Sequence, residues 1–454
     1  MGVPFIGRLS AGEWPTVLGS LFVAYFESII SLITESIPLP ILQSITTILS
    51  HIHIYIFRIF ISDSSNQIVD PEAQKIKERL TEATNAHELC KVHGLILEDH
   101  IVRTKDDYLL TLHRLPPKKV GSPVVYLHHG LLMCSDIWFV MNKRDQNLPY
   151  VLHEAGYDVW LGNNRGNKYS AKHLYLKPNS RKFWDFSMDE FAIYDIPDSI
   201  NHILKHTSMK NLIYIGFSQG SAQAFASLSI NSDLNNKVKL FIALAPAITP
   251  TGLHHKTVDT LIKTSPNFMY LLFGKRTLLP TASFWANTIY PPLFVKVIDA
   301  SVQGLFDWRS ANIDQDQKIS SFKHLYSPTS VKCIVHWFQI IRNGKFQLFD
   351  ENTSLTYSLS RSFQPANFPT RTNIKTPIRL IYGTIDSLVN IEEYLSLLPE
   401  YTTRAIPVEN HEHLDIIWGK DVKRLVFPHI FNALKEAEDE DLDIKKVTND
   451  EESI

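Results

Sequence analysis

Asn211-Leu212-Ile213-Tyr214-Ile215-Gly216-Phe217-Ser218-Gln219-Gly220 is an apolar run that ends on a serine held between two glycines. The run from Leu212 to Ile215 reads as a buried strand, and the Ala- and Ser-rich segment Ser221 to Ile230 behind it can start a helix. A strand that turns sharply into a helix around G-x-S-x-G is a nucleophile elbow, with Ser218 at the tip in a strained backbone conformation. Gly216 and Gly220 supply the room, because a Cβ at either would sit where strand and helix cross. At average usage of about 7% for each residue type, G-x-S-x-G arises by chance about 0.15 times in a chain this long. The strand before it and the helix after it therefore carry much of the inference.

Outward from the elbow, strands alternate with helices. Leu95 to Thr111 is a hairpin around Lys105-Asp106-Asp107-Tyr108. Val124 to Leu127 is a buried strand that runs into His128-His129-Gly130-Leu131-Leu132. Tyr157 to Leu161 is another, followed by the polar turn Gly162-Asn163-Asn164-Arg165-Gly166-Asn167, and a helix from Ile196 to His206 leads to the elbow. Lys239 to Ala245, Ile378 to Tyr382 and Arg404 to Val408 are further strands, and Val422 to Lys435 is a last helix. This order predicts an α/β protein with a mostly parallel central sheet covered on both faces. From Pro246 to Asp350 regularity fails while large apolar residues accumulate, Phe268, Trp285, Phe306, Trp308 and Trp337 among them, which predicts a cap over a greasy pocket.

A serine hydroxyl needs a base to remove its proton, and the base needs a carboxylate to fix its tautomer. With the chain order Ser, acid, His, Asp386 at the end of Ile381-Tyr382-Gly383-Thr384-Ile385 is the candidate acid. The base is one of the two histidines in His411-Glu412-His413. The other is a solvated side chain, and a His-x-His metal pair is a third reading that no further ligand cluster accompanies. The oxyanion donors map to the backbone N–H groups of Gln219 and Leu131. An H-x4-D pattern, His153 to Asp158, would suit an acyltransferase, but it straddles a helix end and a strand start, which turns Asp158 into the sheet.

Composition narrows the partners. With 45 Lys and Arg against 47 Asp and Glu, no basic excess exists to displace counterions from nucleic acid. Three widely spaced cysteines, Cys90, Cys134 and Cys333, make a disulfide framework improbable and place the catalytic part in reducing cytosol. The lone sequon at Asn352 carries little weight. The N-terminus is strongly apolar from Val17 to Ile61 without the basic start of a cleavable signal. Pro38 and Pro40 split it into 17–34 and 41–61, which would reach roughly 27 and 31 Å as helices. Glu27, near the middle of the first segment, would cost roughly 3 kcal/mol facing lipid. A hairpin, or two helices lying in the interface, relieves that cost and leaves both ends cytosolic. The chain then divides into a membrane-associated hairpin (1–62), a linker with a short helix (63–86), the first part of the core (87–245), the cap (246–350), the second part of the core (351–435) and an acidic disordered tail (436–454).

G-F-S-Q-G, L-H-H-G-L-L with Trp138, D-V-W-L-G-N-N-R-G-N-K-Y-S, F-W-D-F-S-M-D-E-F, S-V-K-C-I-V-H-W-F-Q and H-L-D-I-I-W-G resemble the acid lipase family of α/β-hydrolases over His87 to Phe431. The resemblance selects His413 as the base and Leu131 and Gln219 as oxyanion donors. With its apolar N-terminus and acidic tail the chain is similar to the membrane-anchored fungal steryl ester hydrolases of lipid droplets. That implies hydrolysis of sterol esters with no metal or organic cofactor, with triacylglycerols or other long-chain esters as the open alternative, on the cytosolic face of the endoplasmic reticulum and droplet surface. A lipid-binding protein that had lost catalysis would not need all three triad residue types.

Overall fold

The computed structural model describes residues 70–250, 266–351 and 365–452, with Ile262 and isolated positions between 14 and 52. Two antiparallel strands, β1 (Glu98–Arg103) and β2 (Tyr108–Leu115), open the sheet. Their turn is closed by Thr104, whose hydroxyl donates to Asp106 over 2.7 Å, and by Asp107 at φ 72°. There follow β3 (Val124–His128), β4 (Asp158–Leu161), the short β5 (Lys172–His173), β6 (Leu212–Phe217), β7 (Val238–Leu244), β8 (Ile378–Gly383) and β9 (Thr403–Val408). The spatial order is β1-β2-β4-β3-β6-β7-β8-β9, with β5 beside β2. Pairing is parallel from β4 through to β9.

Side-chain alternation explains why β6 is apolar throughout. Ile213, Ile215 and Phe217 enter one core with Leu127, Ile242 and Leu244, while Leu212 and Tyr214 enter the other with Tyr126, Phe241 and Leu380. Each fully buried side chain of this kind contributes about 1.5–3 kcal/mol. Both faces are covered, so a polar residue on either side of β6 would be stranded.

The folded part begins earlier than expected. The chain enters α1 (Pro71–Glu82) and α2 (Ala86–Val92) before the hairpin, and Leu80, Ala86, Leu89 and Cys90 are completely buried. The Asp70 carboxylate caps α1 by accepting the Glu72 N–H, with Pro71 in the first turn. What reads as a surface helix after a linker is thus part of the core, because its apolar stripe lands on the cap. Lys77 pairs with Asp316, and His324 lies 3.1 Å from the Leu80 carbonyl. Behind the sheet run α3 (Ile196–Thr207) and α4 (Gln219–Ile230). The described cap comprises α5 (Pro266–Phe273), α6 (Ala282–Thr288), α7 (Pro291–Phe306), α8 (Gln315–Lys323) and α9 (Val331–Asn343).

The C-terminus also differs from expectation. The final helix, α10, starts at Phe427 and runs to Glu452 in one piece, through the acidic stretch expected to carry no fold. Its first acidic side chains are held by the body. Arg379 and Arg404 both donate to Glu436, and the Tyr157 hydroxyl donates to Glu438. Among the described residues no helix is long and apolar enough to cross a membrane. The segments 17–34 and 41–61, and with them the expected hairpin, fall outside the described residues save for isolated positions.

Candidate active site

Parallel pairing brings the carboxyl ends of β3, β6, β8 and β9 to one edge of the sheet, and each delivers a loop there. Ser218 follows β6 at φ 52° and ψ −120°, a region that costs of order 1–3 kcal/mol and persists only when its surroundings impose it. The Ser218 N–H donates to Leu244 on β7 over 3.0 Å, and the Ser218 carbonyl accepts the Ser221 N–H and hydroxyl. Neither flanking glycine has space for a side chain. A Cβ on Gly216 would lie 2.6 Å from the Gly220 backbone, and one on Gly220 would lie 2.5 Å from the His128 carbonyl.

The structure brings Asp386 and His413 together. His413 Nδ1 donates to Asp386 Oδ2 over 2.6 Å, and the Leu388 N–H holds Oδ1 at 3.0 Å. Both side chains are almost fully buried. With Nδ1 carrying the proton, Nε2 is the basic nitrogen. The Phe217 ring, next to the elbow serine, lies 5.2 Å from the imidazole. His411 takes another role, with Nδ1 2.8 Å from the Glu409 carbonyl. Its own carbonyl accepts the Ile385 N–H, and a Cβ on Gly383 would meet that carbonyl at 2.0 Å. Gly383 is therefore the residue that lets the base loop lie across the end of the acid strand.

The loop after β3 closes over the serine, since a Cβ on Gly130 would sit 3.1 Å from the Ser218 Cβ. This brings Leu131 to the same edge as Gln219, which opens α4 and so has no intrahelical acceptor for its N–H. His129 is fixed as the Nδ1–H tautomer. It donates to the Gly130 carbonyl, accepts the Asn164 N–H on Nε2, and burial pushes its pKa down to about 4. The paired histidines of this loop are neutral scaffold.

The sequence left two supports unassigned. Trp337 and Cys333 on α9 both donate to the Gln219 side-chain oxygen, at 2.7 and 3.4 Å, which ties the cap to the elbow. Trp308, just past α7, stacks on His413 with 4.8 Å between ring centroids and 7° between planes. Neither contact is readable without the spatial path of the cap. The acyltransferase pattern is placed elsewhere. Asp158 opens β4, at the opposite end of the sheet from Ser218, and both its oxygens accept from Arg114. Among the described residues, His87, Asp99 and His113 bring three ligand atoms within 4.8 Å of one another on the antiparallel flank. They share no residue with the serine site.

The chain matches the family model of the alpha/beta hydrolase fold over residues 123–419 and that of the partial alpha/beta-hydrolase lipase region over residues 86–142. The chain belongs to the α/β-hydrolase family. Its relatives include a probable lipase of Schizosaccharomyces pombe, 46% identical over 84% of this chain and 85% of that protein. The lysosomal acid lipase/cholesteryl ester hydrolase of Homo sapiens is 32% identical, over 81% and 92%. The gastric triacylglycerol lipase of Rattus norvegicus is also 32% identical, over 78% and 92%. This α/β-hydrolase is thus a lipase homologue along most of its length.

Proposed function

We propose that this α/β-hydrolase cleaves long-chain esters of sterols through an acyl-enzyme on Ser218, at the cytosolic face of lipid droplets and the endoplasmic reticulum. The observation that carries the chemistry is the 2.6 Å contact between His413 and Asp386 at the sheet edge that bears the strained serine. Ser218 Oγ attacks the ester carbonyl while His413 Nε2 takes its proton. The negative oxygen formed is met by the N–H groups of Leu131 and Gln219. Collapse expels the sterol oxygen, which takes the proton from His413. Water then attacks the acyl-enzyme with His413 as base again, releasing fatty acid and free Ser218.

The substrate class is supported by chemistry and kinship. The described cap is rich in buried apolar side chains, Met269, Leu272, Phe294 and Trp337 among them, and a rigid sterol with a long acyl chain needs apolar surface to leave lipid. One relative is named for cholesteryl ester and another for triacylglycerol hydrolysis, so triacylglycerol is the second reading. Three buried free cysteines favour a reducing compartment. The test is fatty-acid release by purified protein from matched long-chain steryl esters, triacylglycerols and phospholipids, with Ser218→Ala as blank. Faster turnover of triacylglycerol than of every steryl ester would overturn the substrate assignment, and equal release by the blank would overturn the mechanism.

A further inference from the structure

The cap is fastened directly to the two loops that carry Asp386 and His413. Phe306 ends α7, and its carbonyl accepts the hydroxyl of Ser387, the residue after Asp386, at 2.6 Å. The chain then turns through Asp307 at φ 59° and Ser310 at φ 50°. Between those two turns, Glu412 accepts the N–H of Arg309 on one carboxylate oxygen at 2.9 Å and the N–H of Ser310 on the other at 2.6 Å. Glu412 is the residue before His413 and is 7% exposed. Asn312 completes the tie by donating to the Asn410 carbonyl at 2.7 Å and to Asp415 at 2.9 Å. Asp415 in turn accepts the Glu412 N–H.

These ties place one side chain. Trp308 lies between Phe306 at 4.3 Å and His413 at 4.8 Å, so the three rings form a continuous stack with the catalytic-base candidate at its end. The indole N–H of Trp308 has no hydrogen-bond partner among the described residues, so the ring is held by its faces and by the backbone on either side of it. The Asp386 bond holds the imidazole at one nitrogen, and the tilt of the ring plane about its Cβ–Cγ bond is then set by what packs on its faces. A flat ring at 7° matches that plane and keeps water off one face of the base. It also offers a π-face to the imidazolium that forms when Ser218 is deprotonated.

We propose that the strap 306–312 is a positioning device for His413, in which Glu412 clamps the backbone so that the face of Trp308 sets the plane of the imidazole. Trp308 and Glu412 are positioning residues that act through His413. The proposal deepens the reading of Ser218, Asp386 and His413 as a triad and rests on it. Two features make it specific. Only a flat side chain can do what Trp308 does, so phenylalanine serves and leucine, apolar and bulky but not planar, does not. Only two acceptor oxygens can hold two adjacent N–H groups, so glutamine at 412 loses one bond and turns an NH2 toward a donor.

The experiment uses the full chain and a short soluble ester, which needs neither cap opening nor a lipid surface. Trp308→Leu and Glu412→Gln are expected to lower kcat by about tenfold with KM within about twofold, whereas Trp308→Phe stays within about threefold of the parent. Because both residues act through one strap, the double variant Trp308→Leu/Glu412→Gln should be little worse than the worse single variant. Circular dichroism and thermal midpoints establish that each variant is folded. If Trp308→Leu does not fold, Trp308→Phe with Glu412→Gln carries the test alone. In that form, loss in the Gln variant with retention in the Phe variant supports the strap, and full kcat in the Gln variant overturns it. A fall in midpoint with unchanged kcat, equal losses in the Leu and Phe variants, losses that multiply, or a change confined to KM would each show filling without positioning. Ser218→Ala in the same assay separates the two levels. If it keeps turnover, the triad reading has failed; if it is dead while Trp308→Leu is fully active, only the strap has failed.

Discussion

Ser218 has a backbone conformation that its neighbours impose and stands at the carboxyl edge of the sheet, the edge that also carries the buried pair Asp386 and His413. Replacing it by alanine is expected to lower ester hydrolysis by at least about a thousandfold while leaving the fold intact, since the acyl-enzyme route is lost and the oxyanion donors give only residual help. Turnover near that of the parent protein would end the mechanism. The two histidines should separate as cleanly. His413→Ala is expected to be as severe as the serine change, because it removes the partner of Asp386. His411→Ala should be much milder, because its imidazole is engaged with the Glu409 carbonyl. One short ester measured on both variants decides this, and equal losses would leave the base unassigned. Ser218 and Asp386 were legible in sequence because each ends an apolar run at a turn. The choice between two histidines two residues apart was not legible from pattern alone, since it depends on a loop crossing over Gly383 that no periodicity announces.

At the level of the elements, the polar turn after β4 shows what a recognisable sequence block can be for. Arg165 is completely buried, with Asp195 at 2.7 Å and Asp106 held by both guanidinium arms, and its guanidinium lies 4.1 Å over the Tyr108 ring. One side chain thus joins the turn after β4, the β1–β2 hairpin and the helical segment before α3. Arg165→Ala should destabilise the protein by about 3–5 kcal/mol, since it leaves two carboxylates without their counter-charge. Urea unfolding measures this, and a change below about 1 kcal/mol would mean that the network is not buried as described. Apart from β5, which was not foreseen, and the outer ends of the β1–β2 hairpin, which lie three and four residues further on than expected, the strands and their order followed from alternation and length. The additional helices of the core and the persistence of α10 did not. Leu80 looks like one leucine on a polar helix until α8 is seen to lie against it. The acidic run after Lys435 looks unfoldable until Arg379, Arg404 and Tyr157 are seen to reach it.

For the whole molecule, burial of neutral histidines sets a pH requirement. His93, His129 and His336 are each pushed down to about 4 by desolvation, and His128 is driven well below its usual value by the same cause. Between pH 6.5 and 4 the unfolded chain takes up protons that the folded chain refuses. Stability from these groups is therefore fully present above pH 6.5 and is lost as pH falls toward 4. Five carboxylates work in the opposite direction: burial raises Asp189 to about 7 and Asp195 to about 6, and raises Asp198, Glu412 and Asp415 as well. With His113 also pushed down to about 4 and His100 and His202 lowered, seven histidines among the described residues stand against those five, so the thermal midpoint should be lower at pH 4.5 than at pH 7, and a higher midpoint in acid would contradict this balance. Removing residues 1–62 should leave activity on short esters and abolish droplet association; a truncated protein that still reaches droplets would exclude the N-terminal segment as the anchor.

The strand order has a further consequence, for the ribosome. β6 and β7 are synthesised with Ser218, but β8 and β9, which bring Asp386 and His413, emerge only after the whole cap. Until then β7 is an open sheet edge, and an open edge invites pairing with other chains. On the proposed mechanism the nascent protein lacks its acid and base over the same interval in which that edge is open. Neither condition ends until β8 has docked against β7 and β9 against β8.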